Sequence, residues 1–207
     1  MIPFKIKNLF CSYRNYLFNI NTNNFWNRKY VLEKNNSENT VAYPHTFRRI
    51  TELLDSKMKV IDLGCGRGQL IEMIKESRGC DVFGVDISDV AIKAVKERGL
   101  NGLALRIPPV SIGSHIFDVA IASEILEHIK NPIALIKEMV RIVKPDGLLI
   151  IAVPNNWLYP YGNRDHLWVF NEEKMIRLFK KININQNIIF ERIKEQNGEQ
   201  LLVLVKL

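Results

Sequence analysis

The sequence predicts an α/β fold: a seven-stranded, mostly parallel sheet in a three-layer αβα arrangement, ending in an antiparallel hairpin. Three observations carry that expectation. Short β-branched runs alternate with helical stretches from about residue 45, as a parallel sheet requires. The first of those runs opens through glycines into a helix. The chain finishes on two β-rich runs flanking Asn197-Gly198, a two-residue hairpin signal.

HTFRRITELLDS (45–56) has helical spacing, and KVIDLG (59–64) reads as a buried strand. QLIEMIKESRG (69–79) is a helix ended by Gly79, and DVFGVD (81–86) a second strand. SDVAIKAVKERG (88–99) is a helix with Ser88 at its cap. LALRI (103–107), FDVAIA (117–122) and GLLIIAVP (147–154) supply three more parallel strands, with the helix PIALIKEMVRIV (132–143) before the last. INQNIIFERIKEQNGEQLLVLVKL (184–207) forms the hairpin. The one long irregular stretch, PNNWLYPYGNRDHLWVF (154–170), holds five aromatics and follows the fifth strand. Ligands of open parallel sheets sit beyond the carboxyl ends of the strands, so this loop is placed to cover a bound molecule, or else exposed core.

At 207 residues, 47% hydrophobic and 25% charged, the chain builds one domain (45–207) behind a basic, aromatic extension or lid (1–44). Residues 1–34 carry six Lys/Arg against one Glu, so most of the net +7 belongs there. Eight aromatics share this segment, and Ile6, Leu9, Tyr13, Tyr16 and Ile20 recur at the spacing of an amphipathic helix. Such a helix covers the protein's own core or pocket; contact with an anionic membrane surface or with RNA phosphates is the alternative. NTNN (21–24) and KNNSEN (34–39) are expected to be its bounding loops. No apolar run approaches the roughly 20 residues of a membrane span, and the N-terminus lacks the pattern of a secretory signal. Cys11, Cys65 and Cys80 are an odd count without metal spacing, which suits the reducing cytoplasm. Oligomeric state is not legible.

The sharpest chemical signal is VIDLGCGRGQL, in which a strand ends at Asp62 and turns through Gly64, Cys65, Gly66 and Gly68 into a helix. Glycines let the backbone turn tightly and approach a ligand closely. The order G-x-G-x-G is neither the dinucleotide fingerprint nor a P-loop, which disfavours a nicotinamide dehydrogenase. Asp62 beside the turn suits a cationic ligand better than a pyrophosphate. Asp86, closing the second strand 22 residues beyond Gly64, is placed to accept both hydrogen bonds of a ribose diol, with helix capping as its plain structural alternative.

These strings resemble class I S-adenosylmethionine-dependent methyltransferases over about residues 45–207: DLGCGRG, GVDIS, FDVAIASEILEHI and KPDGLLIIAVPN look like that family's successive motifs. The resemblance implies a Rossmann-like sheet with the cofactor, S-adenosyl-L-methionine, across the ends of the first, second and fourth strands. Asp62 and the Gly64–Gly68 turn would hold its methionine portion and Asp86 its ribose. Ile87 would lie against adenine, and Ser123 would face the sulfonium. The family's usual acidic residue after the third strand is missing between Glu97 and Asp118, and Lys144-Pro145-Asp146-Gly147 departs from Lys-Pro-Gly-Gly.

In SEILEH (123–128), Glu124, Glu127 and His128 stand at i, i+3 and i+4, on one face if the turn is helical. Ubiquinone-pathway O-methyltransferases and small-RNA 2′-O-methyltransferases share this spacing around a divalent ion. In the RNA enzymes a later histidine, matched here by His166, completes the set. Metal-independent relatives carry similar strings, so no metal is assigned, and Glu127, His128 and His166 are expected to act as an acid/base group. The implied function is methyl transfer to a hydroxyl of a small-molecule acceptor: a sugar, a quinone-like compound or a lipid-linked one. An RNA 2′-O-methyltransferase and a non-catalytic partner subunit are the alternatives.

Overall fold

The computed structural model describes residues 21–34, 41, 43–155, 165–196 and 198–207. Its strands are β1 (Lys59–Leu63), β2 (Asp81–Asp86), β3 (Asn101–Ala104), β4 (Phe117–Ser123), β5 (Val143–Pro154), β6 (Ile188–Glu195) and β7 (Gly198–Lys206). They form one sheet in the order β3-β2-β1-β4-β5-β7-β6. The first five run parallel, while β7 pairs antiparallel with both β5 and β6. The expected sheet and terminal hairpin are therefore present; Asn197 of the hairpin turn lies outside the described residues.

The helices are α1 (Asn23–Lys34), α2 (Pro44–Glu52), α3 (Gln69–Arg78), α4 (Asp89–Glu97), α5 (Pro132–Ile142) and α6 (Glu172–Lys180). Alternation along the central strands creates the layers, because successive side chains of a strand point to opposite faces. Val119 and Ile121 of β4 pack on one face with Ile50 of α2, Ile71 and Ile74 of α3 and Ile92 and Val95 of α4. Ala120 and Ala122 pack on the other, with Leu135 and Met139 of α5 and Met175 and Phe179 of α6. Covered on both sides, these strands have no polar face, which is why they read as continuous apolar runs. Ser88 Oγ accepts from the Ala91 amide at the start of α4, and Gly79 ends α3 with φ +66°, as expected.

Four details depart from the sequence expectations. The third strand runs Asn101–Ala104 instead of 103–107, because β2 itself ends at Asp86, whose carbonyl accepts the last ladder bond from the Leu105 amide at 2.8 Å. The KPDG turn lies inside the span of β5: the ladder passes from Phe117–Val143 directly to Val119–Leu148, so residues 144–147 loop out, with Asp146 at φ +61°. Helix α6 went unassigned, although Asn171 caps it by accepting from the Lys174 amide. NTNN is not wholly a loop, since α1 already begins at Asn23. The stripe of Ile6, Leu9, Tyr13, Tyr16 and Ile20 lies outside the described residues. Among the described residues no helix is long and apolar enough to cross a membrane.

The strand order reverses between β1 and β4, which place their neighbours on opposite sides. Crossover connections leave on opposite faces there, opening a crevice beyond the strands' carboxyl ends.

Candidate active site

At that crevice the turn after β1 is pinned to β2: the amides of Gly64 and Cys65 both donate to the Val85 carbonyl, at 2.7 and 3.0 Å. Gly64 takes φ +85°, and a Cβ there would come within 2.8 Å of the Ile125 side chain, so the position demands glycine. The Cys65 thiol is buried, and burial pushes its pKa up, so this residue serves the turn through its backbone.

Asp86 receives what the turn offers. One carboxylate oxygen accepts from the Gly66 amide at 3.0 Å and the other from the Ser88 amide at 2.8 Å; the Tyr30 hydroxyl of α1 donates to it as well. Burial raises its pKa and these donors oppose the rise. Asp62, 2% exposed, behaves differently. Its Oδ1 has no hydrogen-bond partner among the described residues, and burial, seconded by the charge of Asp86, pushes its pKa up to about 8. A buried, unpartnered carboxyl accommodates a cationic group well, because the cation would supply the charge that desolvation withholds. Ser123 Oγ, buried at the end of β4, likewise lacks a partner among the described residues.

Gly64, Asp86 and Ile87 share the wall of one cavity of about 210 Å³ with Glu124, Ile125 and His128. The glycine turn and SEILEH, 60 residues apart, thus open on the same space.

SEILEH is not an α-helical face. Glu124 sits in the left-handed region at φ +55°, and only Leu126–His128 forms a helical turn, of the tighter 3₁₀ kind. Glu124 therefore points away from its neighbours and is hydrogen-bonded by the side chains of Tyr43 and Gln200. Burial lifts its carboxyl to about 7. Glu127 and His128 instead meet His166, whose segment is fastened when the Leu167 and Trp168 amides donate to the Glu127 carbonyl at 2.8 and 3.3 Å.

In this trio Glu127 Oε1 lies 3.8 Å from His128 Nε2 and 3.9 Å from His166 Nε2. One ligand atom from each residue falls within 4.8 Å of the others. The His128 Nδ1 faces the Asp165 carbonyl at 3.0 Å; a carbonyl only accepts, so Nδ1 carries the proton and Nε2 presents a lone pair. Burial, then the neighbouring His166, pulls His128 down to about 3, and burial brings His166 down to about 4. Glu127, 1% exposed, is driven well above the usual carboxylate range by burial and by Glu124. These close contacts are accordingly not ion pairs, since both imidazoles stay neutral at pH 7. Both Glu127 oxygens lack a hydrogen-bond partner among the described residues. One orphaned carboxylate and two neutral imidazoles form a donor set that fits a divalent cation.

Several participants have no motif of their own. From α1, Asn23 donates to the Ile87 carbonyl at 2.6 Å, and Asn27 Oδ1 accepts from Ser88 Oγ at 2.6 Å. Trp26 stands edge-on to the His128 ring, with centroids 5.0 Å apart, and Lys29 pairs with Asp165 at 2.8 Å. The available signal was the i, i+4, i+7 spacing of Asn23, Asn27 and Tyr30, a polar docking face rather than an apolar stripe. Tyr43 and Gln200 left no signal, being far from Glu124 in the chain.

Comparison with known proteins bears on the family and the fold. The model of a family described as a methyltransferase domain matches residues 36–186. A ubiquinone biosynthesis O-methyltransferase of Haemophilus ducreyi is 30% identical over 134 residues, covering 59% of this chain and 55% of its own. Its namesake from Nitrosomonas europaea is 33% identical over 115 residues, covering 50% and 48%. The chain thus spans about half the length of the curated relatives it matches. Among solved structures, a SAM-dependent methyltransferase from Archaeoglobus fulgidus superposes with a TM-score of 0.68 at 18% identity, covering 78% of this chain and 91% of that one. The Burkholderia thailandensis 1,6-didemethyltoxoflavin-N1-methyltransferase, solved with S-adenosylhomocysteine, superposes with 0.67 at 17% identity, covering 87% and 86%. Both likenesses concern the fold.

Proposed function

Because this chain belongs to the class I S-adenosylmethionine-dependent methyltransferase family, we propose that it transfers the methyl group of S-adenosylmethionine to a hydroxyl of a small acceptor, with a quinone-like phenol the first choice. One observation carries this reading: donor-holding and hydroxyl-handling groups face a single cavity. The phenol is favoured by the names of the relatives and by the enclosure of that cavity under α1.

The bound donor supplies an activated sulfonium methyl, so positioning dominates the barrier. Asp86 takes the donor's sugar hydroxyls, Ile87 packs on the adenine, and the Gly64–Gly68 turn with Asp62 receives the amino-acid end. Ser123 faces the sulfonium side. His128 lines the opposite wall, with Glu127 and His166 clustered behind it, and the acceptor oxygen is held there. A divalent cation at these three residues would lower the pKa of the acceptor hydroxyl. Imidazoles this far below neutrality are weak bases, which directs them toward ligation rather than proton transfer. Glu124, on the cavity wall, takes the hydroxyl proton on its carboxylate. Trp26 and the segment from Asp165 onward exclude water from this space.

Incubating the purified full chain with radiolabelled S-adenosylmethionine and a catechol-type quinone precursor tests the reading. The label is expected in a phenolic methyl ether, lost with a chelator and restored by magnesium. Label passing only to ribose hydroxyls of RNA would replace the acceptor class. Retained donor binding with no transfer to any hydroxyl would leave a binding module instead of an enzyme.

A further inference from the structure

Helix α1 reaches the donor side through a row of polar residues on one face. Asn23 is bonded to the Ile87 carbonyl and to Asp89, Asn27 to Ser88 and the Val90 amide, and Tyr30 to Asp86. The Arg67 guanidinium donates to the Tyr30 carbonyl, fixing the end of this row above the glycine turn. The Tyr30 hydroxyl comes within 3.1 Å of the point a Gly66 Cβ would occupy, so it stands in the notch that the glycine leaves open beside Asp86. A phenolic hydroxyl donating to a strand-end carboxylate makes the bond that a sugar hydroxyl makes there. The space left beside it is correspondingly small: about 210 Å³, below the roughly 300–1,000 Å³ of pockets that enclose a drug-sized ligand.

We propose that Tyr30 is a competing occupant of the donor's sugar subsite: its hydroxyl holds the place of a ribose hydroxyl on Asp86, so seating of α1 and binding of the donor exclude one another at that point. This rests on the donor-site reading above and adds a residue that sets how tightly, and against what, the donor binds. The ligand class is a nucleoside with a free ribose diol. The same helix holds the acceptor side through Trp26 against His128, Lys29 on Asp165, and Asn21 just ahead of it on the carbonyls of His128 and Asp165. Displacement of Tyr30 therefore loosens both walls together, and admission of the acceptor is tied to arrival of the donor.

The sign of one substitution decides the matter, because removing an ordinary contact residue weakens binding while removing a competitor strengthens it. Calorimetric titration of the full chain with S-adenosylhomocysteine is expected to show Tyr30→Phe binding about tenfold more tightly than the unaltered protein, the size of one hydrogen bond to a charged acceptor. Asn27→Ala, which frees α1 from Ser88 without touching the sugar subsite, is expected to bind about twofold to threefold more tightly. Affinity that is unchanged or weaker in both variants, while the unaltered protein binds normally, overturns the competition and leaves the donor site standing. Failure of the unaltered protein and both variants to bind at millimolar ligand overturns the donor-site reading, and the competition with it.

Discussion

The two walls of the cavity are built in different ways. The donor wall comes from adjacent strand ends: the Gly64–Gly68 turn, Asp86 and Ser88 lie within 25 residues and are tied by backbone amides. The proposed acceptor wall is assembled from His128, backed by Glu127 and by His166 almost 40 residues later, and from α1 more than 90 residues earlier. The first is specified by strand geometry that any doubly wound sheet possesses. The second exists only when distant segments meet, so substrate choice can change there without disturbing the donor. Substitutions confined to one wall should accordingly separate binding from turnover, whereas α1, which touches both, should move the two together.

The largest effect is expected on the acceptor wall. Glu127→Gln, or His166→Ala, should lower kcat about a thousandfold while S-adenosylhomocysteine affinity by calorimetry stays within about twofold. A parallel loss of affinity would mean that these side chains, like α1, act on the donor side as well. Asp86→Ala should reverse the pattern, weakening donor binding about a hundredfold, as expected for two hydrogen bonds to a charged group, and lowering the thermal midpoint because the Gly66 and Ser88 amides lose their acceptor. Untouched affinity there would sink the donor assignment.

A smaller effect concerns protons. Glu124 must be ionised to accept one, and its carboxyl sits at about 7, so kcat should rise about tenfold from pH 6 to pH 8 and level off above. Glu124→Gln should flatten that limb, and a limb that persists would assign the proton to another group. The smallest expected change is at the seam. Lys29→Met breaks the Asp165 pair, which is partly exposed and worth about 1 kcal/mol or less, so kcat/KM should fall only a few-fold, with less effect at high salt. A larger loss would show that this pair, rather than the Asn21 bridges, holds the wall together.

The same contrast explains what the sequence could tell. The sheet, its hairpin and the relation of Asp86 to the glycine turn were legible because each depends on residues close in the chain and on strand periodicity. Glu124 was misplaced with Glu127 and His128 because the spacing argument assumed helical backbone, whereas its left-handed conformation turns the side chain toward Tyr43 and Gln200. Helix α1 was obscured because its docking face is polar: Asn23, Asn27 and Tyr30 meet backbone carbonyls, hydroxyls and a carboxylate, and apolar periodicity is silent about such partners. The shortened third strand had a cause no local pattern carries, the end of its partner strand β2 at Asp86.

The position of β7 between β5 and β6 has a consequence for how the molecule is born. Gln200, which steadies Glu124, belongs to β7, which follows every other described strand in the chain, and β6 has no partner in the sheet until β7 pairs with β5. Until β7 has emerged from the ribosome, the polypeptide has its glycine turn but not the finished floor under Glu124. Competence to bind therefore precedes competence to react along the nascent chain, and a premature stop near residue 197 would strike the chemistry as well as the stability.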